Sequence, residues 1–60
     1  MDFEKVWDIV CDHCRERGFY FLDEEDKRFT QRLYRDGVAT REICEKVEYS
    51  CRCMGRKYDS

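Results

Sequence analysis

Residues 32–58 read RLYRDGVATREICEKVEYSCRCMGRKY. Asp36-Gly37 is the clearest helix stop in the chain, because glycine closes a helix in the left-handed conformation without steric cost. Thr40 then offers an N-cap for a new helix, with Glu42 in its first turn. Beyond it, Ile43, Cys44, Val47, Cys51 and Met54 recur at helical spacing and form one apolar stripe. Two structures fit these letters. Neither Gly nor Pro interrupts residues 41–54, which favours a single helix of about four turns. Alternatively, Tyr49-Ser50 is a turn and Ser50 caps a separate short helix starting at Cys51.

Two further helices precede this segment. Asp2 is an N-cap, and Phe3, Val6, Trp7, Val10, Cys11 and Cys14 follow the i, i+3, i+4, i+7 pattern, with Asp8, Asp12, Arg15 and Glu16 on the polar side. Gly18 stops that helix. Phe19-Tyr20-Phe21-Leu22 has no partner strand and reads as an extended connector over the open end of the core. Asp23 caps the second helix, with Asp26 three positions on completing a capping box, and Phe29, Leu33 and Tyr34 as its inward side. The expected fold is therefore all-α: a small three-helix bundle at about 3–17, 23–36 and 40–54, with the last helix either whole or split into a helix-turn-helix.

Sixty residues make a single small domain, and such a chain buries only about 60% of its unfolded surface. Charged residues form 43% of the chain with both signs interleaved, as on solvated helix faces. The net charge of −2 argues against a nucleic-acid footprint over the whole surface. Residues 1–36 hold seven Lys/Arg against ten Asp/Glu, whereas residues 37–60 hold five against four, so a DNA-facing surface belongs at the C-terminal end. No apolar run reaches the ~18 residues of a membrane span, and the start MDFEKVWD lacks the apolar core of a signal peptide. A cytoplasmic protein is expected. Five cysteines, an odd number, then point to reduced thiols rather than a disulfide framework.

The segment 29–58 resembles the helix-turn-helix of the resolvase and transposase type. The matching positions are Gly37, Arg41-Glu42-Ile43-Cys44, Val47, Ser50 and Met54, all capping or packing positions. Glu48 departs from the pattern, standing where the family usually places a turn glycine. The resemblance implies duplex DNA as partner. It puts Ser50, Arg52, Arg56 and Lys57 on a recognition helix in the major groove, with Arg41 and Lys46 near the phosphate backbone. The alternative for these cations is a solvated face.

The cysteines raise a second possibility. Cys11 and Cys14 lie about 60° apart on one helix face, and Cys51 and Cys53 sit late in the last helix. Four thiolates from parallel first and third helices could hold zinc or an iron–sulfur cluster, with His13 as substitute ligand. Against this, i and i+2 residues such as Cys51 and Cys53 point to different sides of a helix, and as small core residues the cysteines fit the apolar stripe unaided. Cys53, with Arg52 and Arg56 nearby, is the candidate exposed reactive thiol. The acidic run 23–26 could suggest a cation site but suits a helix N-terminus better. Nothing arranges a nucleophile with the single histidine, so no catalytic residue and no resident cofactor are assigned. The nine aromatics exceed what so small a core easily buries, so an exposed aromatic surface that docks a protein partner or a second copy competes directly with DNA binding.

Overall fold

A computed structural model of the chain describes residues 2–19 and 22–54. It contains three helices, α1 (Phe3–Glu16), α2 (Glu24–Arg35) and α3 (Thr40–Cys53), each packed against the other two. The all-α three-helix bundle expected from the apolar periodicity is the observed fold. The pairings set its direction. Phe3 at the start of α1 packs against Tyr34 near the end of α2, with ring centroids 5.7 Å apart and planes tilted by 56°, so these helices are antiparallel. Glu25 and Asp26, in the first turn of α2, line one surface with Ser50 and Met54 at the end of α3, so α2 and α3 are antiparallel as well. The helices thus run up, down and up.

Local chemistry accounts for each boundary. Asp2 accepts from the Lys5 backbone N–H at 3.1 Å and caps α1. At the far end, Phe19 N–H reaches Cys14 O and Gly18 N–H reaches Arg15 O, a double closure that the positive φ of Gly18 (94°) permits. Gly37 (φ 82°) repeats this at α2, with Val38 N–H on Leu33 O and Gly37 N–H on Tyr34 O. Asp23 and Asp26 form a reciprocal capping box, each carboxylate taking the other's backbone N–H, at 3.2 and 3.0 Å. The acidic run 23–26 is therefore the cap and first turn of α2.

Two boundary expectations need correction. Thr40 does not cap α3: the N-cap is Ala39, which makes no side-chain hydrogen bond, and Thr40 is already helical. Nor does the chain turn at Tyr49-Ser50. Both residues lie inside α3, which runs unbroken to Cys53, so the split form of the last helix is not adopted. With no glycine at position 48 and Cys51 needed on the same buried stripe as Val47, continuing the helix costs nothing and keeps four anchors in the core.

That core consists of Val6, Val10 and Cys14 from α1, Phe19 from the connector, and Ile43, Cys44, Val47 and Cys51 from α3. Most of these side chains are small, which lets α1 and α3 approach closely, while Trp7, Leu22, Leu33, Tyr34 and Val38 pack around the edge. Of the expected inward side of α2, Leu33 and Tyr34 pack against the core but Phe29 does not. The buried residues of this helix are Asp26 and Thr30, whose hydroxyl donates to Asp26 O at 2.8 Å, whereas Phe29 is pushed to the rim. Met54 likewise leaves the stripe and is exposed beyond the end of α3. Among the described residues no helix is long and apolar enough to cross a membrane.

Candidate functional site

Three features carry chemistry beyond packing: a groove between α2 and α3, an ionic junction between α1 and α3, and the cysteine cluster.

The groove forms because α2 buries Asp26 and Thr30 rather than its largest apolar residue. Phe29 and Leu33 wall one side, and Tyr49 and Ser50 face them from α3. Ala39 lies at one end, and Met54 extends the surface past the other. Phe29, Tyr49 and Met54 are among the few large apolar side chains left exposed. Charges from α3, Arg41 and Lys46 against Glu42 and Glu45, border it in equal numbers. Its volume, about 790 Å³, falls within the range of roughly 300–1,000 Å³ for small-molecule pockets. It is nevertheless an open trough, better shaped for a row of side chains than for an enclosed ligand. The Cys53 side chain one turn on raises the Tyr49 pKa above that of an ordinary tyrosine.

The ionic junction centres on Glu48, which is largely covered. Its carboxylate accepts from His13 Nε2 (2.8 Å), Arg17 Nε (3.1 Å) and Arg52 Nη2 (2.6 Å). A carboxylate only accepts, so Nε2 carries the ring hydrogen, and His13 Nδ1 faces Arg17 Nη1 at 3.5 Å. His13 is thus held by α3 rather than free at the surface. Sequence reasoning missed this contact, although both residues flank the buried stripes of their helices, His13 beside Cys14 and Glu48 between Val47 and Cys51.

The cysteines divide by depth. Cys14, Cys44 and Cys51 are buried, Cys11 is half-buried and Cys53 is exposed. Burial, reinforced by Cys51 and Cys44 nearby, pushes the Cys14 thiol up to about 12. Burial also raises Cys44 and Cys11, with Arg17 and Arg15 respectively opposing the shift. Thiols held protonated are poor metal ligands and poor nucleophiles. Cys11, Cys14, Cys51 and Cys53 do not converge as a ligand set: Cys53 points outward while Cys14 and Cys51 sit in the apolar core. Among the described residues no three of His, Cys, Asp or Glu are grouped to hold a metal ion.

Of the residues expected to contact DNA, Arg41, Lys46 and the half-buried Ser50 line the groove, and Arg52 lies outside it, drawn onto Glu48. Arg56 and Lys57 lie outside the described residues, as do Tyr20 and Phe21 of the aromatic connector. No family model, curated protein or solved structure matches the chain.

Proposed function

We propose that this chain is a non-enzymatic protein-interaction module whose α2/α3 groove receives an amphipathic helix of a partner protein. One observation carries it: Phe29, Leu33, Tyr49 and Met54 form a continuous apolar strip between two antiparallel helices, open to solvent. Exposed aromatic side chains in a concave strip are the usual anchors of helix-in-groove recognition, filled by residues at i, i+3 or i+4, and i+7 of the guest. The fold supplies rigid walls, because α2 is closed at both ends by its own hydrogen bonds and α3 is anchored in the core by four buried residues.

The geometry gives less support to duplex DNA. A recognition helix must stand apart from the helix before it so that its outer side can enter the major groove. Here residues 40–53 form one rod, and Arg52 is engaged by Glu48. Catalysis has no more support, since His13 is held by Glu48 and burial raises the pKa of the Cys14 and Cys44 thiols.

The test is a titration of isotope-labelled protein with a helical peptide bearing three leucines on one side and uncharged polar residues elsewhere. Amide shifts should concentrate at residues 29, 33, 49 and 50, and the double variant Phe29→Ala/Tyr49→Ala should abolish them. Shifts confined to residues 41, 46 and 52 on adding a DNA duplex, with none from the peptide, would replace this function with nucleic-acid binding.

A further inference from the structure

We infer that the guest helix carries acidic side chains along the edge facing α2. This rests on the groove being a helix-docking site and adds the chemistry of the partner. Arg28, Arg32 and Arg35 stand at i, i+4 and i+7 on α2, so they form one ridge. All three are exposed, and none forms an ion pair with a carboxylate among the described residues. The ridge joins the groove at Arg28, which lines the same surface as Phe29, Ser50 and Met54, together with Glu25 and the capping Asp26 from the first turn of α2. Complementing the helix dipole accounts for Arg32 and Arg35 in the last turn of α2, but not for Arg28 in mid-helix.

The charge is one-sided. The α3 border is balanced, Arg41 and Lys46 against Glu42 and Glu45. The carboxylates Glu4, Asp8, Asp12 and Glu16, at four-residue steps, are all exposed on α1. α1 thus carries an excess of carboxylates, whereas residues 27–35 of α2 hold four cations and no carboxylate, so the α2 edge of the groove is positive between the acidic first turn and Asp36. A guest with apolar anchors in the trough and Glu or Asp beside them satisfies both features at once, and the charge fixes its orientation. A second copy is a poorer fit. Its acidic helix, α1, exposes a single large apolar residue, Ile9, where the strip presents four. Nucleic acid would satisfy the ridge and leave the apolar strip empty.

The experiment uses three peptides with identical leucine positions and an edge of Glu, Gln or Lys, measured by calorimetry at low and high salt. The Glu peptide should bind about tenfold tighter than the Lys peptide, with the gap narrowing in high salt. Arg28→Glu/Arg32→Glu should erase that preference, with retained helicity checked by circular dichroism. If this pair unfolds the protein, Arg28→Gln/Arg32→Gln should erase it instead. Equal binding of all three peptides, lost in Phe29→Ala/Tyr49→Ala, would keep the groove and overturn the acidic edge. Binding of none would remove both. A dimer dispersed by Phe29→Ala would give the groove to a second copy. A DNA gel shift abolished by the Arg28→Glu/Arg32→Glu pair would give the ridge to nucleic acid. Either result overturns the inference.

Discussion

Replacing Glu48 with alanine removes the acceptor at which α1 and α3 are tied together. Its three contacts differ in worth. The Arg52 contact is an i, i+4 pair with an arginine 66% exposed, worth about 0.3–0.5 kcal/mol. The Arg17 contact, from a side chain 46% exposed, is screened and adds at most about 1 kcal/mol. The His13 contact joins side chains only 21% and 14% exposed across 35 residues of chain. A partly buried hydrogen bond to a charged acceptor of this kind is worth about 1–1.5 kcal/mol. Alanine returns a few tenths through its higher helix propensity. The net loss is about 2 kcal/mol, against a total stability of roughly 3–9 kcal/mol for a domain of this size. The melting temperature should fall by about 8–16 °C. Urea unfolding followed by circular dichroism measures this directly. A double-mutant cycle with His13→Ala should give a coupling of about 1 kcal/mol. If Glu48→Ala changed stability by less than about 0.5 kcal/mol, or the cycle gave no coupling, the junction would be decorative and the account of how α1 is oriented would be wrong.

Alkaline stability depends on Cys14. Its thiol ionises near 9 in the unfolded chain and at about 12 in the fold, so its contribution is intact below about pH 9 and is lost between there and pH 12, at up to about 1.4 kcal/mol per pH unit. Urea midpoints at pH 8, 10 and 11 should decline, and less steeply in Cys14→Ala; parallel declines would remove Cys14 as the cause. Thiol mapping by mass spectrometry after brief alkylation should label Cys53 first, Cys11 more slowly, and Cys14, Cys44 and Cys51 only on unfolding. Labelling of Cys51 as fast as Cys53 would contradict the buried cluster. A Cβ at Gly37 meets nothing within 4 Å; Gly37→Ala should therefore cost only the left-handed backbone penalty, about 1 kcal/mol, with Gly37→Asn milder. A cost above about 3 kcal/mol would mean a steric conflict that the open turn does not contain.

The sequence by itself determined the elements. Asp2, Gly18, Asp23 and Gly37 mark helix ends through local hydrogen bonds and backbone freedom, and these bonds span at most five residues. The stripes of α1 and α3 were legible for the same reason, since helical periodicity is local. Tertiary packing decided what the stripe pattern left open. Whether α3 continued past Val47 depended on Cys51 being needed in the core beside Cys14, a contact between helices. In α2 the short polar residues Asp26 and Thr30 satisfy their hydrogen bonds within the helix and can be buried, so Phe29 is left at the rim and a groove opens. The pairing of His13 with Glu48 likewise exists only once α1 and α3 lie side by side, because residues 35 apart carry no local signal of each other.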